Sequence, residues 1–536
     1  MQFVELGGSL SSAFAGRRPP VVATLQRPCR GRTLAVCVRL AIVCIVMTSA
    51  ARATNLPPTP LAKVGYTRIS RAAEISADLD VLVAAGPLAR KELVGRSVLG
   101  RPIETLVLSG NRGAARPLVL LVGTQHGAAE PAGGEAMLSL AREFLQGDLR
   151  PLLEDIDVVL LPDANPDGRD SGHRSNAHKV NLNTDFVLLA QPESQALLAA
   201  LRRYEPQAVL DVHESAVLKR QTLAREGYLT NFDAQFEAAN NPGITAAARD
   251  YGQQHLVPAL IAAVHSTGLP AQRYIGEITS TRQFITNGGL SLRNFRNRAG
   301  ITGAFSVLVE TKLDSRDDLW PTYRNIEARV ARSLICQRAF VRLVHAERAA
   351  LRAQWVSARA AALTQPLPLY AAYGEDTEHP RVDITLRRLD NRQLETLSFA
   401  DHRRVFSADT INMPVRYLVS QPSKALRAAL TRQGVQTVQQ EQPLRLTVVA
   451  ERYGPIPTGD RRVEMQSSAT RVITAAPGAL IIDLAGSGGR LVPMLLDPRS
   501  TSSLFRLPQF APEFTSDREL GAYRVVPDVA RQRSNK

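Results

Sequence analysis

Short runs of consecutive apolar residues, each closed by a glycine, a proline or a polar turn, alternate through the first two-thirds of the chain with longer stretches in which apolar residues recur every three or four positions. The runs predict strands at 104–108, 117–123, 155–161, 208–212 and 305–310, and the longer stretches predict helices at 133–144, 192–204, 244–267 and about 325–363. Leu118-Val-Leu-Leu-Val122 is apolar at every position, the pattern of a strand covered on both faces. Strands and helices in alternation imply an α/β domain. After Thr364-Gln-Pro-Leu-Pro-Leu-Tyr370 the rhythm changes. Shorter alternating runs, such as Arg381-Val-Asp-Ile-Thr-Leu386, Leu444-Arg-Leu-Thr-Val-Val449 and Ala479-Leu-Ile-Ile-Asp-Leu484, predict a smaller β-rich region over 371–536, interrupted by one helix at 423–433.

Composition changes this picture only at the start of the chain. A 536-residue chain with 44% hydrophobic residues has room for two or three domains with ordinary cores. The first 53 residues carry seven arginines against the single acid Glu5, then the apolar run Leu40-Ala-Ile-Val-Cys-Ile-Val-Met47 and the small-residue pattern Ala51-Arg-Ala53. That order predicts a signal peptide over 1–53 and an exported mature protein. The apolar run is shorter than the roughly 20 residues a spanning helix needs, so no membrane association is expected after leader removal. The expected organisation is therefore a leader at 1–53, an α/β domain at 54–365 and a β-rich accessory domain at 371–536.

Of the formal charge of +15, the leader carries +6 and the remainder +9, without a dense Lys/Arg block. Arg293-Asn-Phe-Arg-Asn-Arg298 is the most basic stretch, and a structural or substrate-facing loop accounts for it better than a nucleic-acid patch. Three of the four cysteines, 29, 37 and 44, fall in the leader. Cys336 then stands alone, which excludes a disulfide framework and a Cys-rich zinc module for the mature protein.

Two apolar strands are followed by imidazoles, in Leu120-Leu-Val-Gly-Thr-Gln-His126-Gly-Ala-Ala-Glu130 and in Ala208-Val-Leu-Asp-Val-His213-Glu214. A third ends in a carboxylate, Ser306-Val-Leu-Val-Glu310-Thr. Two imidazoles and a carboxylate can hold a catalytic zinc ion with one position open, and a further buried carboxylate can serve as base. An ionised carboxylate so placed is costly without a cation, a water or a metal beside it, so the alternative for Glu310 is a buried salt bridge, with Arg293 as the partner.

Five elements in order, Gly95-Arg-Ser-Val-Leu-Gly-Arg-Pro-Ile103, Gln125-His126-Gly-Ala-Ala-Glu130-Pro-Ala-Gly, Asn165-Pro-Asp-Gly168, Leu210-Asp-Val-His213 and Leu308-Val-Glu310-Thr, resemble the zinc carboxypeptidase family over about residues 60–345. The resemblance implies a mixed sheet covered by helices, a Zn2+ cofactor held by His126, Glu130 and His213, and Glu310 as general base. It implies Arg174 as the stabiliser of the developing oxyanion, with Arg169 as the competing choice. Asn183 falls where the family grips a substrate carboxylate.

Two departures accompany the resemblance. His126 and Glu130 are separated by three residues where the family has two, and Glu135 is the reserve carboxylate. Thr184 stands where the family places the clamping arginine, and Asn181 where it places an aspartate behind a ligand histidine; Arg293, Arg296 or Arg298 could supply the missing cation. Tyr274 is the nearest assisting tyrosine, with packing the simpler role. Asp211 and Glu214 flank His213, and a supporting hydrogen bond from at least one is expected. His173, His178, His255 and His265 read as surface histidines. Three functions stay open: a metallocarboxypeptidase-like hydrolase cutting an amide near a peptide terminus, a deacylase or amidase of acylated amino acids or cell-wall peptides, and a peptide-binding relative without competent metal ligation.

Overall fold

The computed structural model describes residues 55–110, 116–313, 325–485 and 489–527, so the predicted leader over 1–53 lies outside the described residues. Ten strands belong to the α/β part or its loops: β1 (Ala89–Arg96), β2 (Pro102–Leu108), β3 (Leu118–Val122), β4 (Asp157–Leu161), β5 (Ala208–Ala216), β6 (Tyr228–Thr230), β7 (Ala234–Ala238), β8 (Ala271–Arg273), β9 (Phe284–Ile285) and β10 (Phe305–Leu313). Eight of them form one mixed sheet in the order β1-β2-β4-β3-β5-β10-β7-β8. The middle pairs, β4 with β3, β3 with β5 and β5 with β10, are parallel, and β10 pairs antiparallel with β7.

Helices Ala132–Gln146 and Ile326–Ala346 pack together on the sheet, and their apolar faces join the main core with Val119 and Leu121 of β3. Helix Pro192–Tyr204 and the short helix Phe295–Gly300 bury Leu197, Leu201 and Phe295 in a second core with Leu120, Val122 and Val209. Both faces are thus covered, as the unbroken apolar strands predict. Gly133 and Gly134 let the helix lie close to the sheet: a Cβ on Gly133 would sit 2.6 Å from Val212 Cγ1. From β3 the chain turns toward β4 on one side, while β5 leads to β10 on the other; such a switch point opens a crevice at the carboxyl ends of the strands.

Some boundaries differ from the prediction for identifiable reasons. β5 and β10 do not stop at Val212 and Glu310; they stay in parallel register from Phe305↔Ala208 through Leu313↔Ala216, so both chemistry-bearing residues lie inside paired strands. The predicted helix over 244–267 is broken into Ala246–Tyr251, a π-turn Gly252–Leu256 and Val257–His265. Pro258 has no N–H to return to the preceding turn, which favours that looser winding. The long helix divides at Glu347, whose φ of −92° and ψ of 7° leave the helical region.

After residue 366 the chain is rich in strands. Leu367–Gly374 pairs with Arg404–Ile411, and a six-stranded sheet contains Leu444–Tyr453, Met465–Ala475 and four shorter strands. The predicted helix appears as Lys424–Arg432, capped by Ser423 Oγ accepting from the Leu426 N–H. A four-stranded sheet interleaves Arg381–Arg388 and Leu394–Asp401 with β6 and β9 from the earlier part of the chain. Among the described residues no helix is long and apolar enough to cross a membrane.

Candidate metal centre and active site

β3 runs out at Val122 and delivers His126 into a tight loop. Gly127–Ala129 form a single 3₁₀ turn, with Gly127 at φ 51° and the Ala129 N–H donating to His126 O at 3.0 Å. The Ala128 N–H donates to His173 O at 3.2 Å, fixing the turn against the segment that carries Arg174. This turn absorbs the extra residue between His126 and Glu130 and brings the Glu130 carboxylate back toward the histidine. His126, Glu130 and His213 are all buried, and one ligand atom from each lies within 4.8 Å of the others. The two imidazole rings are 4.9 Å apart between centroids.

The donor set suits a metal ion. His126 Nδ1 is buried and has no hydrogen-bond partner among the described residues. Burial pushes the His126 imidazole down to about 3 against the pull of Glu130, so at pH 7 it is neutral with a lone pair available. Burial opposes ionisation of Glu130, yet its interactions with His126, Arg174 and His213 outweigh it and hold the carboxyl well below the usual range. His213 Nδ1 faces Glu130 Oε2 at 3.0 Å and its Nε2 faces Asp211 Oδ1 at 3.0 Å. Burial works against charging this imidazole, but Asp211 and Glu130 raise its pKa well above the ordinary value.

Glu310 stands directly beside His213 in the register of β10 and β5. It is half-buried, and its Oε2 is shut off from solvent with no hydrogen-bond partner among the described residues. Burial first, then the nearby Glu130, pushes its pKa up to about 8. The alternative of a salt bridge to Arg293 does not form: Arg293 Nη1 lies 4.0 Å from Asp460 at the surface.

Arg174 is half-exposed and donates from Nη1 to Glu130 Oε1, which puts the guanidinium at the edge of the cluster. Arg169, the competing choice, is elsewhere: it is fully buried and pairs with Glu135 at 3.0 Å and Asp163 at 3.1 Å. That pairing also removes Glu135 as a reserve ligand. Neither solvent-facing nor free, Glu135 accepts from the Ser70 N–H and hydroxyl, both at 2.9 Å.

Asn183 Nδ2 lies 3.5 Å from His213 Nε2, and its Oδ1 accepts from the Phe295 N–H at 2.9 Å. Thr184 turns its hydroxyl back to Asn181 O, and Asn181 Oδ1 accepts from the Asn183 N–H rather than supporting a histidine. Asp211 fills that supporting role from β5 itself, held in turn by Gln125 Nε2 at 2.5 Å. Glu214, the other flanking acid, points away into a two-pronged ion pair with Arg329 at 2.7 and 3.0 Å. Arg296 and Arg298 are buried and leave the cluster, Arg296 pairing with Glu237 and Arg298 bonding Gln433. Tyr274 shares an environment with Glu310, whose charge adds to burial in raising the phenol pKa. His178 bonds Gln191, and His255 faces Glu347 on the surface.

Gln125 is the residue that sequence reasoning missed: nothing in its spacing signals that its amide would brace Asp211. Its position next to His126 was the available hint.

Residues 75–330 match the zinc carboxypeptidase family. This segment belongs to that family. Among curated relatives, a probable carboxypeptidase 2 of Arthroderma benhamiae is 29% identical over 198 residues, 36% of this chain and 37% of its own. Carboxypeptidase D of Mus musculus is 38% identical over 114 residues, 17% of this chain and 8% of its own. The chain thus spans little more than a third of the length of the first of these. A metallo-carboxypeptidase of Pseudomonas aeruginosa has a TM-score of 0.41 and 20% identity, covering 54% of this chain and 71% of that one. Zinc is the metal by which the family is described, and His126, Glu130 and His213 are a group that could hold it.

Proposed function

We propose that the chain is an exported zinc-dependent hydrolase of the carboxypeptidase type, cleaving an amide bond near a peptide terminus. The observation that carries this reading is the convergence of His126, Glu130 and His213 with the Glu310 carboxylate alongside His213. His126, Glu130 and His213 would hold zinc, which supplies Lewis-acid polarisation of a carbonyl group and of water. With a cation held beside it to keep its carboxyl ionised, Glu310 would take a proton from the attacking water and later hand it to the leaving nitrogen. Arg174 orients the developing negative oxygen, for which a fixed, permanently charged fork of donors is suited. Asn183 and Arg293 bind the substrate, Asn183 through its amide nitrogen and Arg293 as the nearest exposed guanidinium on the segment joined to Asn183 through Phe295. Hydrolysis is assigned to 54–365, and 371–536 is an accessory region.

Thr184 favours a second reading on the same site. With its hydroxyl committed to Asn181 O, no bidentate clamp for a terminal carboxylate stands at this position, which suits an acylated amino acid or a cell-wall peptide. Comparing a peptide with its C-terminal amide separates the two, since equal cleavage means that the carboxylate is not read.

The test of the hydrolase itself is the variant Glu310→Gln. It should keep about one equivalent of zinc while losing at least roughly 100-fold in rate. A near-normal rate refutes the assignment of the base, and protein that takes up less than about a tenth of an equivalent of added zinc refutes the metal centre.

A further inference from the structure

Away from the metal cluster, a cavity of about 450 Å³ lies where helix Pro192–Tyr204, helix Phe295–Gly300 and helix Arg348–Ala361 meet the chain following helix Lys424–Arg432. Its walls include four arginines, Arg202, Arg298, Arg359 and Arg490. Among the described lining residues the only acid is Glu205, which sits at the rim 3.4 Å from Arg359. A cavity of this size matches small-molecule sites in general. Its charge does not match a structural filler, because buried cations are ordinarily paired.

Arg298 is the informative member. It is 2% exposed, and among the described residues no carboxylate pairs with it. Its Nε and Nη2 share the single oxygen Gln433 Oε1 at 3.3 and 3.2 Å, while Nη1 is buried with no partner among the described residues. Burial, with the charge of Arg202 added, pushes this guanidinium down to about 9. Arg490 is also buried, and its donors end on the backbone carbonyls of Gly243, Ala362, Gln365 and Pro366, which satisfies hydrogen bonding while no carboxylate among the described residues pairs with its charge. Arg202 is exposed at the cavity and among the described residues has one hydrogen bond, to Arg432 O at 3.2 Å. An orphaned N–H on a buried guanidinium, in the wall of a space lined by three more, leaves one missing component: an anion with several acceptor oxygens.

We infer that this cavity is a binding site for a small, multiply charged oxyanion of the phosphate or polycarboxylate class, with Arg298 as its inner donor and Arg202 as its entry residue. The site lies between the α/β part and the C-terminal region, because Gln433 also donates to the carbonyls of Phe186 and Val187 at 2.9 and 2.8 Å. Bound anion would tie these segments together. It would also sit on the same short helix as Phe295, whose N–H is held by Asn183.

The experiment is calorimetric titration of the full chain, stripped of metal with a chelator so that the metal cluster does not compete, at constant ionic strength. Inorganic phosphate and citrate are the two probes, and the tighter one identifies the source of the oxyanion. Saturable binding of at least one is expected, weakened about tenfold or more in Arg202→Gln and in Arg298→Gln, each lost contact being a charge-assisted hydrogen bond. Arg202 is exposed, so its variant keeps the test decisive even if Arg298→Gln fails to fold. No binding of either probe to the parent protein, or equal binding by Arg202→Gln, overturns the inference.

Discussion

Replacing Gly127 by alanine tests whether the one-turn loop after β3 is what assembles the candidate metal centre. Gly127 has φ 51°, a region that costs an L-residue about 1–2 kcal/mol. A Cβ there would also run into His173 O and lie 2.6 Å from the Gly168 carbonyl carbon, both backbone atoms that cannot swing aside. Forced overpacking of this kind adds about 1–3 kcal/mol. The combined loss of stability should be about 2–5 kcal/mol, or the turn must shift and take Glu130 with it. Gly172→Ala is the control, because Gly172 has φ 78° and open space for 4 Å around the place a Cβ would take, so only the conformational cost of about 1–2 kcal/mol applies. Urea unfolding of metal-free protein gives the stabilities, and competition with a chromophoric chelator gives zinc affinity. Gly127→Ala should lose about tenfold or more in zinc affinity, as when groups that orient ligands are disturbed, and Gly172→Ala should be close to normal. Equal effects of the two substitutions on stability and on zinc would refute the role given to this turn.

Two further outcomes follow from the buried charges around the site. Arg329→Met leaves the Glu214 carboxylate buried without its two-pronged partner, and should cost about 3–5 kcal/mol in urea unfolding, with much of it recovered in Glu214→Gln/Arg329→Met; no recovery would show that the charge is not the cause. Asp163 has its pKa raised from 3.8 to about 6 by burial, which outweighs the attraction of Arg169. The folded state therefore holds this proton more tightly than the unfolded chain, so the contribution is fully present below 3.8 and lost as pH rises through about 6. The stability of Asp163→Asn relative to the parent should rise over that interval and level off above it; a difference independent of pH would refute the shift.

Much of the architecture follows from local sequence. Leu118–Val122 is the buried strand that its unbroken apolar run predicts, Pro192–Tyr204 begins with proline at its first turn and matches the predicted helix, and Ser423 caps its helix where expected. The group that could hold a metal was legible as candidates, because His126, Glu130 and His213, like Glu310, all sit at or near strands of one parallel set. Sequence alone could not decide whether three intervening residues spoil the pairing of His126 with Glu130. That depended on a hydrogen bond from Ala128 to His173, 45 positions away, and on the close approach of Gly168 to Gly127. The fates of the arginines were equally hidden. Arg169, Arg174, Arg293, Arg296 and Arg298 have the same side chain, and only packing sorts them into a buried pair with Glu135, a contact with Glu130, a surface position, a pair with Glu237 and a guanidinium without a carboxylate in a cavity wall. Periodicity is a property of neighbouring residues and survives in the sequence; the partner of a charge is set by segments far apart in the chain, and exists only once they have folded together.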